Sequence, residues 1–185
     1  MDSKNWSTVA VASSMKLSEN PKTKNVSFKG NDLQIEVIRT PLPTGRVIER
    51  DGVLSVRVPA MIAPGKVRDA ARQAVENWLK AHARTHILRR VQELSGPMKV
   101  AYRSVVLKDT RSRWGSCSRI GNLNFNWRIV MAPPWIIDYL VIHELAHLRE
   151  MNHSERFWRV VEGSCPDFRN HRTWLRHCGE TLLRW

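Results

Sequence analysis

His143-Glu144-Leu145-Ala146-His147 holds the residue types of hydrolytic metal chemistry at the spacing that chemistry needs. In a helix, two histidines four apart share one face, about 6 Å apart along the axis, so both imidazoles can reach one ion. Glu144 follows the first histidine directly, and its carboxylate can lean over the open side of the metal as a general base. Six residues past His147 stands His153. Three protein ligands, a fourth position open to water and an adjacent carboxylate predict a catalytic Zn2+ site. His143, His147 and His153 are its expected ligands and Glu144 its catalytic base.

The flanks argue that the motif is not an accident of an exposed helix. Ile136, Ile137, Leu140, Val141, Ile142, Leu145 and Leu148 make the run from Trp135 to Leu148 apolar nearly all round. Burying two histidines and a glutamate in such a helix costs several kcal/mol (roughly) unless they are satisfied, and a metal satisfies all three. The third ligand has a rival. From His143 to His153 the spacing is that of the metzincins, but Glu150 stands where those have glycine, and no metzincin Met-turn follows. Glu162, on the next expected helix, is the alternative, in the manner of gluzincins. Asn152 is suited to a left-handed turn, and Ser154 to capping a new helix with Glu155 in its first turn; this favours His153.

Several elements must position these groups. Residues 1–27, rich in Ser, Lys, Asn and Thr, read as a flexible polar tail, and 28–185 as one domain. Leu33, Ile35 and Val37 alternate as in a strand. Val47–Arg50 and Val53–Val58 flank Asp51-Gly52, a hairpin signal. Ala60–Pro64 reads as a loop, and Lys66 to Leu94 as a long helix stopped by Ser95-Gly96-Pro97. Val105–Leu107 and Leu123–Ile129 read as strands, with Arg113–Ser118 a small-residue loop between them. Pro133-Pro134 opens the metal helix, and two more helices follow His153.

Other chemistry is weaker. Arg113, if its loop abuts the cleft, could hold a substrate anion or developing oxyanion; otherwise it bonds backbone carbonyls. Cys117 beside Gly and Ser reads as packing, not as a nucleophile. His82 and His86 are also four apart, but no Glu follows the first, and they read as a solvated basic face. Three cysteines without a C-x-x-C pair make no disulfide framework, which suits a reducing cytoplasm. No apolar run has signal-peptide or membrane-span length, so no membrane partner is expected and the cytoplasm is the expected location. With 30 Lys+Arg against 17 Asp+Glu the net charge is +13, which favours anionic partners, nucleic acid among them, or simply keeps the surface soluble.

The chain resembles the bacterial YgjP-like family of metal-dependent hydrolases. The matching stretches are Arg113–Ser118, Asn124–Arg128, Met131–Pro134, the H-E-L-A-H helix, Asn152-His153-Ser154 with Phe157-Trp158, and Pro166–Arg169. They cover most of residues 33–178, with the first 27 outside. The family is similar to SprT/Spartan-type zinc proteases, whose third ligand is a histidine followed shortly by an aromatic; this implies His153, with Phe157 four residues on. The implied fold is α+β and zincin-like: a small N-terminal β-sheet, a long helix packed on it, the metal helix and C-terminal helices. The implied cleft-lining edge strand is Leu123–Trp127.

Residues and resemblance together lead us to expect a zinc-dependent metallopeptidase acting on a peptide or protein. A metal-dependent nucleotide or phosphate-ester hydrolase is the alternative that the charge would suit. A basic nucleic-acid-binding protein with a structural zinc site is the alternative from another class.

Overall fold

The computed structural model describes residues 25–185. Most of the expected tail, residues 1–24, lies outside the described residues. Its last three residues belong to the domain, because β1 (Asn25–Phe28) pairs antiparallel with β2 (Asn31–Thr40). The architecture is mixed α+β, with two small sheets where one was expected.

The first sheet has the order β1-β2-β4-β3. Asp51-Gly52 closes β3 (Arg46–Arg50) onto β4 (Val53–Pro59) as the sequence predicts, with φ of 53° and 79° at the turn. β2 then runs parallel to β4 on its other side. Leu54, Val56 and Val58 alternate inward from β4 and are buried. They face α1 (Val67–Ser95), whose Ala71, Val75, Leu79, Ala83, Ile87 and Val91 recur every four residues and are all buried. Each step of four overshoots a full turn by about 40°, so the buried row winds slowly around the helix axis. His82 is exposed, as the solvated-face reading expects, though its ring packs on aromatics, and His86 departs from that reading. The His82 ring lies 4.2 Å from that of Trp78 and 5.3 Å from that of Phe28, and His86 Nε2 is buried without a partner.

The second sheet has the order β5-β7-β6, from β5 (Ser104–Lys108), β6 (Gly115–Cys117) and β7 (Asn122–Asn126). Two expectations change here. Gly115–Cys117, read as loop, is a strand, because β7 offers it an antiparallel partner. β7 itself, taken as the cleft edge, is the central strand, and β6 is an edge. β7 also ends earlier than Ile129. The Asn126 side chain accepts from the Arg128 N–H (3.0 Å) and donates to the Thr110 carbonyl (2.6 Å), turning Trp127–Met131 into a 3-10 segment.

That segment leads into α2 (Pro134–Ala146), with Pro134 at its first position. α3 (Glu155–Ser164) and α4 (Phe168–Leu183) pack on α2. Two devices fix where α2 starts. The Arg90 guanidinium of α1 grips Asp138 with two bonds, 2.6 and 2.9 Å. The turn between β1 and β2 also reaches over: Lys29 N–H donates to the Val130 carbonyl (2.8 Å), and Ser27 Oγ to the Met131 carbonyl (3.0 Å). Gly30, at φ +80°, lies so close that an added Cβ would stand 3.1 Å from Pro133.

Gly30 and Gly52 therefore make a matched pair. Both have left-handed φ, but nothing lies within 4 Å of a Cβ at Gly52. Gly52→Ala should cost only the backbone strain, about 1 kcal/mol, and Gly30→Ala about 2–3 kcal/mol through the added contact. Urea denaturation of both variants checks the order.

Candidate metal centre

α2 is apolar around its whole circumference: Ile136, Ile137, Leu140, Val141, Ile142, Leu145 and Ala146 are all buried. One face interrupts this with Tyr139, His143 and His147, four apart and stacked one above the next. Past Ala146 the chain tightens: the N–H groups of Leu148, Arg149 and Glu150 bond back to the carbonyls of Leu145 and Ala146. Asn152 does not take the expected left-handed conformation; among the described residues the non-glycine ones that do are Lys29, Asp51 and Lys99. The reversal is made instead by a tight turn in which the Ser154 N–H donates to the Asn152 carbonyl (2.8 Å). Ser154 does cap α3, its Oγ accepting from the Phe157 N–H at 3.4 Å.

This path returns His153 to the first two histidines. One nitrogen of each of His143, His147 and His153 lies within 4.8 Å of the other two, a group able to hold a metal ion. His143 Nε2 and His153 Nε2 are 3.0 Å apart. The His147 Nδ1 lies 3.2 Å from the Glu150 carbonyl, which can only accept. Nδ1 therefore carries the proton, and Nε2 is left as the free lone pair. Phe157, fully buried, walls the triad with ring centroids 4.9, 4.5 and 4.7 Å from His143, His147 and His153. Trp158 stacks on His153 at 5.6 Å and on Phe168 at 5.2 Å, which fixes the one exposed ligand.

Burial tunes these groups for a cation. It pulls His143 down to about 3, helped by the charges of His147, His153 and Arg172. It lowers His147 and His153 as well. The three imidazoles are thus held neutral, the form that binds metal. Glu144 is 3% exposed, and burial pushes its carboxyl up to about 8. Its Oε2 has no hydrogen-bond partner. The carboxyl lies over the backbone of β6: a Cβ on Gly115 would stand 2.7 Å from Glu144 Cδ and 2.8 Å from Cγ. A buried carboxyl without a partner, beside three neutral imidazoles, is a donor set that fits a divalent cation.

A model of the YgjP-like, metallopeptidase domain family matches residues 4–178. The chain belongs to this family. The match starts well before residue 28, so it is wider at the N-terminal side than the resemblance carried by the motifs. Comparison with the curated proteins and with the solved structures finds no match. Membership in the YgjP-like family makes the chain a metal-dependent hydrolase, and its three gathered histidines supply a place for the metal.

Elsewhere in the YgjP-like chain the candidates lie apart from the triad. Arg113 is exposed; its carbonyl accepts from Thr110 Oγ1 (2.8 Å), and its guanidinium has no bond among the described residues. The arginine whose charge reaches the triad is Arg172, on α4. Nothing local in the sequence signals it; Tyr139 was also passed over, although its place one turn before His143 could have pointed to it. Cys117 behaves as a packing residue: burial, and then the charge of Glu144, push its thiol up to about 11. All three cysteines are free. Among the described residues no helix is long and apolar enough to cross a membrane. Glu162, the rival ligand, is bound to Arg169 at 2.8 Å and is not in the histidine group.

Two outcomes are expected. His153→Ala should weaken zinc binding strongly and Glu162→Ala leave it nearly unchanged, as read by competitive titration with a chromogenic chelator. The second concerns pH. In the metal-free chain, Glu144 binds its proton up to about 8 when folded but releases it near 4.5 when unfolded. Its contribution is therefore present at low pH and is lost as pH rises toward 8. The lowered histidines act in the opposite sense, but only below their ordinary 6.5. Between pH 6.5 and 8 the metal-free chain should lose on the order of 2 kcal/mol, and Glu144→Gln should flatten that slope. Chemical denaturation at stepped pH reads it directly.

Proposed function

We propose that the chain is a zinc metallopeptidase of zincin-like fold, with His143, His147 and His153 as ligands and Glu144 as general base. The observation that carries this reading is the buried, unpartnered carboxyl of Glu144 beside three neutral imidazoles. A structural zinc site takes four protein ligands, and the gathered group offers three, which favours an open catalytic position. When bound, zinc supplies a Lewis acid and lowers the pKa of water to about 7.

The protein's own groups do the rest. Glu144 takes a proton from the attacking water and returns it to the leaving amine. Its high proton affinity in the dry site suits a base that must hold that proton between the two events. His147 is kept in the right tautomer by the Glu150 carbonyl. Phe157 and Trp158 keep the rings oriented and water away from their far faces. The free edge of β6 is the proposed docking rail. Its N–H and C=O groups can pair with an extended peptide as an added strand, passing over Gly115 beside the Glu144 carboxyl. SprT-like kinship and a cytoplasmic setting belong to the same reading.

A specific observation keeps a second substrate class in view. Arg159, Arg169 and Arg172 line the groove between α3 and α4, which suits a phosphate ester. Paired assays on peptide pools and nucleotides with zinc-loaded protein separate the two.

Glu144→Gln should retain one zinc per chain and lose ~10²–10⁴ of turnover, because the amide fills the space but accepts no proton. Gly115→Ala should do the same by a different route, since the new methyl displaces the carboxyl it abuts. Metal analysis beside turnover decides both. Zinc-replete Glu144→Gln working at the wild-type rate would remove Glu144 from this role.

A further inference from the structure

Arg169, Arg172 and Arg176 follow one another by three and four residues along α4 and so share a face. That face borders two grooves. One, of about 500 Å³, lies against α3 and is lined by Trp158 and Phe168. The other, of about 400 Å³, is lined by Trp114 and Tyr139. Arg172 lines both. Its guanidinium stands 4.7 Å over the Trp158 ring, and that ring is the one stacked on His153. Arg172 is thus held beside the triad by an aromatic face, not by a carboxylate.

Of the acids that line the two grooves, none pairs with Arg172. Glu162 pairs with Arg169 and Glu180 with Arg184. Glu155 lines the first groove but makes no ion pair with Arg172. A cation without a carboxylate partner among the described residues, placed next to a seat for a divalent cation, is electrostatically adverse for the empty protein. An anion arriving with the substrate removes that penalty. A planar guanidinium laid on a ring also keeps its N–H fork free and oriented for two oxygens.

Resting on the metal-centre reading above, we infer that Arg172 is the specificity residue of this site: it receives an oxyanion carried by the substrate, a carboxylate or a phosphate, next to the bond to be cleaved. Substrates without such a group leave the guanidinium facing the metal charge unrelieved and bind less well.

The test is calorimetric titration of the zinc-loaded, full-length chain with inorganic phosphate and, separately, with N-acetylglutamate. Four proteins are compared: wild type, Arg172→Ala, Arg172→Lys, and Arg46→Ala, which removes the same charge from β3. Arg172→Ala should weaken one probe or both by about tenfold or more, with partial recovery in Arg172→Lys and little change in Arg46→Ala. Loss for phosphate alone assigns a phosphoryl group to the substrate, loss for the amino-acid probe alone an acidic peptide, and loss for both a receptor of either. Zinc affinity in Arg172→Ala should equal or exceed that of wild type, since a cation has left its vicinity. Unchanged titrations in Arg172→Ala, no binding of either probe by wild type, or loss of zinc from Arg172→Ala would each overturn the assignment. Absence of metal-dependent turnover by the zinc-loaded wild type on both peptide pools and nucleotides would sink the metallohydrolase reading, while the anion titrations would still report on Arg172.

Discussion

His143 and His153 bring their Nε2 atoms to 3.0 Å, and no two protons fit in that gap. The constraint runs through the rest of the centre. If the imidazoles must be neutral, their surroundings must be dry enough to hold them so, and Phe157 and the apolar body of α2 provide that. The same dryness leaves the Glu144 carboxyl without water, which raises its proton affinity. Each feature that burial makes costly becomes favourable around a divalent cation. Stability and function are therefore coupled at this point: the groups that cost most in the apo chain are those that metal binding repays.

How much of this could be read from the residues depends on how local the cause is. The metal helix was legible because motif, spacing and apolar flanks lie within fourteen positions. The long helix and the Asp51-Gly52 hairpin were legible for the same reason, through periodicity and turn chemistry. β6 was not, because Gly115-Ser116-Cys117 has little intrinsic preference for a strand and becomes one only by pairing with β7. The early end of β7 comes from one side chain, Asn126, bonding across to Thr110. His153 was found, but the turn behind it was not: a backbone bond from Ser154 to Asn152 replaces the left-handed residue that the sequence suggested. Arg172 escaped notice entirely, since only tertiary packing of α4 brings it to the histidines.

The net charge of +13 also takes on a location. Dispersed along the sequence, it says only that anions are attracted. In the folded chain a row of arginines on α4 borders the grooves beside the triad. Long-range attraction and short-range capture then act in the same direction, and both weaken with added salt, the surface part more than the part against Trp158.

The clasp between the β1–β2 turn and the segment before α2 has a temporal side. Ser27 and Met131 lie 104 positions apart, so the bond between them closes a large loop. Contacts of that span form late, after the local hairpin and helices, because their entropic cost is met only once the intervening chain is ordered. During synthesis the N-terminal sheet must wait for the metal helix to emerge before its turn has anything to hold. The ligands follow within some twenty positions, and Trp158 and α4 after them. His143, His147 and His153 span only ten positions, so their gathering is local, and the clasp at the start of their helix is the long-range step that closes on it.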